Sequence, residues 1–257
     1  MCDILAACFS SEHRAPRTLH RFMLKSIERK DVDGWGVGFF LRNRRAVVVK
    51  DADIRVGKEH INTAFEAVIR CVESEIIVAH FRLASRKHLY GPKYAHPFKD
   101  SFLRADWVFA HNGSSDAILS YRTSGRRIHE SAEFDSPRVF EYIRDRMREY
   151  LSARETRSLY WAVKYAVRRL YEEYEGTYNF VLANSNVLFV NLDGKHPRNN
   201  ALYVTFRKKE DPYEKAVIVT TVPRLTAEEW ITIRPRSGRR GKLLMISEGE
   251  ILYHGDI

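Results

Sequence analysis

The sequence predicts an α+β layered fold, with mostly antiparallel sheets and helices packed outside them. Three observations point there. Short apolar runs bounded by polar or Gly residues open and close the chain, stretches with helical spacing lie between them, and no regular strand–helix–strand alternation is visible.

The elements follow in order. Residues 2–9, CDILAACF, read as a buried strand. Leu19, Phe22, Met23 and Ile27 recur at helical spacing over 15–30, and two short strands are expected near 36–41 and 45–50. A helix near 59–73 would place Ile61, Ala64, Phe65 and Val68 on one side. Residues 75–80 form a strand that runs into His80-Phe81-Arg82, and 106–110 form another that runs into His111-Asn112-Gly113. Two long helices are expected over 136–151 and 155–173. In the second, Leu159, Ala162, Val163, Ala166, Val167 and Leu170 make a wide stripe suited to packing on a sheet. After Gly176 come five short runs: TYNFVLA, NVLFVNL, ALYVTFR, AVIVTT and KLLMIS.

Composition narrows the function classes. The chain has 257 residues, enough to bury a core without a disulfide or metal staple. No stretch approaches the roughly 20 apolar residues of a membrane span. The apolar run from Ile4 to Phe9 follows Asp3, unlike a secretory signal with its positive n-region. Cys2, Cys8 and Cys71 form an odd, sparse set rather than a disulfide framework, so a reducing cytoplasm is expected. The net charge of +10 raises the question of a nucleic-acid partner. The basic residues are spread along the chain, however, and a solvated surface is the favoured reading.

Chemistry centres on Cys2. Removal of Met1 leaves a free α-amino group on the residue that carries the thiol. Such an amine titrates near ~7.7–8.0 and can take the thiol proton, directly or through a water. Taken alone, a Cys at the second position of a buried strand is more often a small core hydrophobe than a nucleophile. The Asn112-Gly113 pair has two readings: a tight turn, or an oxyanion hole built from an amide NH2 and a backbone N–H. Arg82 is either an ion-pair residue or a fork for a substrate carboxylate. Asp135 is most simply the N-cap of the helix that follows, and it could equally hold a substrate ammonium. Cys8 and Cys71 read as structural. His80, His96 and His111 lack the spacing of a zinc motif, and P-loop and Rossmann glycine patterns are absent, so neither a metal nor a cofactor is expected.

The ordered set of motifs resembles the class II glutamine amidotransferases, which are N-terminal nucleophile hydrolases, and among them the stand-alone type that includes γ-glutamyl amide hydrolases. The resemblance runs through Met1-Cys2-Asp3-Ile4-Leu5, Asp33-Gly34-Trp35-Gly36-Val37-Gly38, His80-Phe81-Arg82-Leu83-Ala84-Ser85, His96-Pro97-Phe98, Trp107-Val108-Phe109-Ala110-His111-Asn112-Gly113 and Asp135-Ser136. It continues through Tyr178-Asn179-Phe180, VIVTTVPRL and KLLMISEGEI, so nearly the whole chain is covered in the family's order. It implies one domain over 1–257 and a four-layer αββα sandwich of two mainly antiparallel sheets between helical layers. It also implies site roles. Cys2 would be the nucleophile, and Asn112 and Gly113 the oxyanion donors. Arg82 would bind the α-carboxylate of glutamine beside Ser85, Asp135 would bind the α-ammonium, and His96 would line the pocket.

The sequence departs from the family pattern at Arg86-Lys87-His88, at Ala95 and at Glu133-Phe134, all around the pocket rim, which puts the natural substrate in question more than the reaction. The expected partner is glutamine or a γ-glutamyl small molecule. An ammonia-accepting synthase partner and a homo-oligomer stay open. So do two other functions: a non-catalytic regulatory or binding subunit that keeps the fold, and a different N-terminal cysteine acyl-amide hydrolase.

Overall fold

The computed structural model describes residues 2–29, 32–52, 63–84, 88–153, 158–195, 202–208, 215–222, 225 and 229–257. Two antiparallel sheets lie face to face. The first holds seven strands in the order β11-β9-β10-β1-β4-β2-β3, built from Ile231–Ile233, Leu202–Lys208, Lys215–Thr220, Asp3–His13, Ser74–Arg82, Gly34–Phe40 and Ala46–Asp51. The second holds six in the order β13-β12-β8-β7-β6-β5, built from Glu250–Asp256, Gly241–Ser247, Leu188–Asp193, Thr177–Ala183, Ala105–Ser114 and Phe98–Phe102.

Side-chain alternation along each strand divides the apolar residues among three layers. Ile4, Ala6 and Cys8 of β1, Ile76 and Val78 of β4, Val108 and Ala110 of β6, and Val181 and Ala183 of β7 pack between the sheets. The opposite face of the first sheet, with Leu5, Ala7, Ile77 and Ala79, packs against α1 (Pro16–Arg29) and α2 (Thr63–Cys71). The opposite face of the second, with Trp107, Phe109 and Phe180, packs against α3 (Asp135–Ser152) and α4 (Leu159–Glu173). Helix, sheet, sheet and helix form the expected four layers.

The structure refines several expectations. On α2 the buried residues are Phe65 and Ile69, while Ala64 is exposed; Ile61 lies outside the described residues. The helix expected over 155–173 is α4, starting at Leu159; residues 154–157 lie outside the described set. Cys8 is buried between the sheets, and burial pushes its thiol up to about 11, which suits a core residue. Cys71 is exposed at the end of α2 rather than packed in the core.

The Asn112-Gly113 pair does not turn the chain. Strand β6 continues to Ser114, with Asn112 opposite Asn179 and Gly113 opposite Tyr178 on β7. A Cβ at residue 113 would fall inside contact distance of the Thr177 carbonyl oxygen and of His111 Nε2, so here glycine serves close strand approach.

Candidate active site

Register fixes which way Cys2 points. Asp3 pairs with Phe81 and Ile4 with His80, so Cys2 lies at the start of β1 beside the end of β4. It shares strand parity with Ile4, Ala6 and Cys8, all packed between the sheets. Arg82 has the parity of Val78, and Asn112 that of Val108 and Ala110, which are packed there too. Two facing sheets thus deliver Cys2, Arg82 and Asn112 to the same end of one layer.

Cys2 is half-buried. The Leu83 N–H donates to its Sγ at 3.5 Å, and the thiol lies 3.7 Å from the Leu83 carbonyl oxygen. The 83–84 segment is held in turn by Asp33, whose Oδ2 accepts the Ala84 N–H at 2.5 Å and whose own N–H donates to the Arg82 carbonyl at 2.7 Å.

Arg82 is buried beside the rings of Phe134 and Tyr94, with its guanidinium carbon 5.6 and 5.9 Å from their centroids. Its Nη1 has no hydrogen-bond partner among the described residues. Burial lowers its affinity for the proton, and the nearby Cys2, Asp33 and Asp135 oppose that. A buried guanidinium with an open donor is suited to a ligand carboxylate.

Asn112 is 2% exposed, and its Nδ2 likewise has no partner among the described residues. The direction of the Gly113 N–H follows from its neighbours. The His111 carbonyl accepts from His80 Nε2 at 3.2 Å, and the Ser115 N–H donates to Asp135 Oδ2 at 2.9 Å, so residues 111 and 115 turn their backbone groups away from β7. Backbone direction alternates along a strand, which places the Gly113 N–H on that same open edge.

Asp135 is not the helix cap the sequence suggested. It is the first residue of α3, the cap position is Phe134, and no side chain caps the helix. Its carboxylate accepts from Ser115 and, at 3.3 Å, from the Ser136 hydroxyl. The loop hydrogen bond holds an anion at the N-terminal end of a long helix, where the macrodipole favours it.

His96 is buried and stacks on His80 at 4.3 Å between ring centroids, with Phe98 at 4.8 Å and Phe134 at 5.9 Å. Neither ring nitrogen has a partner among the described residues. Burial, reinforced by His80, His111, Arg82 and Lys50, holds His96 neutral well below the usual histidine range. Ser85 and Met1 lie outside the described residues.

A model of the class II glutamine amidotransferases matches residues 1–256. The chain belongs to the class II glutamine amidotransferases. It is 22% identical over 220 residues to a Haemophilus influenzae protein provisionally named a glutamine amidotransferase, covering 77% of this chain and 69% of that one. Among solved structures, a predicted glutamine amidotransferase from Pseudomonas aeruginosa aligns with a TM-score of 0.57 and 18% identity, over 98% of this chain and 95% of that one. The glutamine phosphoribosylpyrophosphate amidotransferase of B. subtilis aligns with a TM-score of 0.64 and 14% identity, over 99% of this chain and 49% of that one. At such identities these structures speak for the fold, and they share the layered amidotransferase architecture. The amidotransferase family and its neighbours are enzymes, and this chain is one. No helix among the described residues is long and apolar enough to cross a membrane.

Within this amidotransferase fold the sequence reasoning passed over several residues. Asp33 entered only as the first residue of the Asp33–Gly38 motif, with no role given, yet it holds the segment that contacts Cys2. Tyr94 and Phe134, packed edge to face on each other, both border Arg82. Lys50, on β3, reaches under the same wall: its Nζ donates to the Ala95 carbonyl at 2.9 Å and lies 4.5 Å from the Phe98 centroid. Burial pushes Lys50 down to about 8. Two of the departures from the family pattern meet at the rim, where His88 Nε2 lies 2.6 Å from Glu133 Oε2.

Proposed function

We propose that this amidotransferase hydrolyses the side-chain amide of glutamine, or of a γ-glutamyl compound, through a thioester at Cys2. The observation that supports the reading is a buried cation with an open donor, Arg82, within electrostatic reach of both the Cys2 thiol and an anion, Asp135. An α-amino acid head group needs both charges.

In this reading Arg82 takes the α-carboxylate and Asp135 the α-ammonium, which presents the amide carbon to Sγ. The freed α-amine of Cys2 removes the thiol proton as the S–C bond forms. Asn112 Nδ2 and the Gly113 N–H receive the developing oxyanion. The amine returns the proton to the departing nitrogen, and ammonia or an amine leaves. Water then adds to the thioester, the S–C bond breaks, and glutamate is released with the thiol restored.

Neutral His96 and the rings of Phe98 and Phe134 form the apolar wall. An acyl-amide hydrolase without specificity for an amino acid head group would not need the Arg82–Asp135 pair, and a purely regulatory subunit would not need the unpartnered Asn112 amide. An ammonia-accepting synthase remains compatible with the site.

The test is ammonia release from glutamine and amine release from γ-glutamyl amides by protein whose first residue is Cys2, confirmed by intact mass. Cys2→Ala should abolish turnover while circular dichroism and thermal unfolding stay unchanged. Protein that keeps Met1 has an amide in place of the base and should be inactive as well. Turnover by Cys2→Ala at the wild-type rate would overturn the proposal.

A further inference from the structure

Far from Cys2, at the other ends of the strands, three tight turns line an open cavity of about 570 Å³. The turn between β2 and β3 contributes Asn43, Arg44 and Arg45; that between β5 and β6 contributes Arg104; that between β7 and β8 contributes Asn184 and Asn186. Asp106, on the cavity wall, and Asn112 are six residues apart on β6, which is about 20 Å of strand. The cavity is therefore separate from the candidate active site.

We infer that this cavity is a binding site for a small molecule carrying two or more linked phosphate groups. The case rests on what the lining offers. Its charged residues are Arg44, Arg45, Arg104 and Asp106, three cations and one anion. That anion is fully engaged. Asp106 Oδ1 accepts from Ser101, and its Oδ2 accepts from the Ala46 N–H and lies 3.1 Å from Lys99 and 3.2 Å from Arg45. Arg44 and Arg104 are exposed at their turns and make no ion pair with any described residue, although Glu75 lies within electrostatic reach of Arg44.

The neutral groups point the same way. Asn43 Oδ1 accepts the Arg45 N–H, and Asn184 Oδ1 accepts the N–H groups of Asn186 and Val187. Asn186 Oδ1 accepts from the Ser185 hydroxyl. Each carboxamide gives its acceptor to its own turn and keeps its NH2 as a donor. Asn184 is buried, with its Oδ1 held by the two N–H groups of its own turn. A lining of free donors and surplus positive charge, with its one carboxylate already engaged, suits phosphate oxygens, which only accept.

Arg44 and Arg104 sit at φ of 64° and 62°, and Leu103 beside Arg104 at 51°, the left-handed geometry of tight hairpin turns. The ring of Phe102 is buried and stacked on Trp107 at 5.0 Å, so no aromatic face is offered to a base. Recognition would fall on the phosphates, and two unpaired guanidiniums on separate hairpins fit linked groups better than a single one.

The test is calorimetric titration of the full chain with inorganic pyrophosphate and tripolyphosphate, with sulfate and a short single-stranded oligonucleotide as comparators at matched ionic strength. Saturable one-to-one binding of the linked phosphates is expected, and the double variant Arg44→Gln, Arg104→Gln should weaken it by about tenfold or more. The variant should melt like the wild type without ligand and keep its amide hydrolysis, since neither residue touches the Cys2 site. The inference fails if the linked phosphates do not bind, if sulfate or the oligonucleotide binds as tightly, or if the double variant binds unchanged.

Discussion

Replacing Lys50 by Met should change how stability responds to pH. Lys50 is half-buried at the edge of the candidate site, and its partial burial lowers it from 10.5 to about 8. The sign follows from proton counting. Between those two values the unfolded chain holds a proton on Lys50 that the folded chain has released, so stability rises with pH across that window. Below pH 8 the ammonium is charged in both states, and the fold carries the cost of burying it. From pH 7.5 to 10 the linkage amounts to about 2 kcal/mol in favour of the wild type relative to Lys50→Met.

The substitution also removes the hydrogen bond to the Ala95 carbonyl, at a cost of about 1–3 kcal/mol. That loss does not depend on pH, so it shifts the variant's curve without tilting it. His96 and His129, which feel Lys50 electrostatically, are both held below the ordinary histidine value and are neutral across this range. The assay is urea unfolding of both proteins at half-unit steps from pH 7.5 to 10. Stability curves that run parallel within about 0.5 kcal/mol would refute the reasoning, since a solvated ammonium has no such linkage.

Further outcomes follow from the site. Asn112→Ala should lower kcat by about 10²–10³ with little change in KM, because an oxyanion donor acts mainly in the transition state; steady-state kinetics on glutamine decide it. Arg82→Met should weaken binding of glutamine far more than that of an analogue lacking the α-carboxylate, and equal penalties for the two would remove Arg82 from that role. Gly113→Ala should destabilise the fold by about 1–3 kcal/mol, read by chemical denaturation, because its Cβ has no room against the Thr177 carbonyl.

Much of the architecture was legible because apolar spacing reports packing. The stripe on α4 and the runs at 177–183 and 242–247 lie where the sequence places them. Strand β5, Phe98–Phe102, escaped because its sequence FKDSF carries polar residues on its solvent face and only two buried rings. Strand β13 escaped for a related reason: most of its residues are exposed, Leu252 and Tyr253 among them. At Asn112-Gly113 a strong local turn signal lost to tertiary context, since β7 pairs on through Thr177. The burial of Lys50 was not readable at all, because its acceptor, the carbonyl of Ala95, is brought in from 45 residues away.

The same contrast explains how a residue at the very start of a strand can be aimed. A one-residue slip of β1 against β4 would send Cys2 to the helix-covered face, because side chains alternate with period two. Several contacts resist that slip. Ile4, Ala6 and Cys8 are packed between the sheets while Leu5, Ala7 and Phe9 fill the layer beneath α1, so a slip would cost both cores at once. On the other edge of β1, the Ile4 N–H donates to the Thr221 hydroxyl at 3.0 Å, and the Ile4 carbonyl accepts from the Thr220 hydroxyl and the Thr221 N–H, both at 3.0 Å. Those threonines cross-link the strand two residues from the thiol. The direction of Cys2 is therefore set by apolar packing along all of β1 and by hydroxyls from β10 and the residue after it, none of which need touch a substrate.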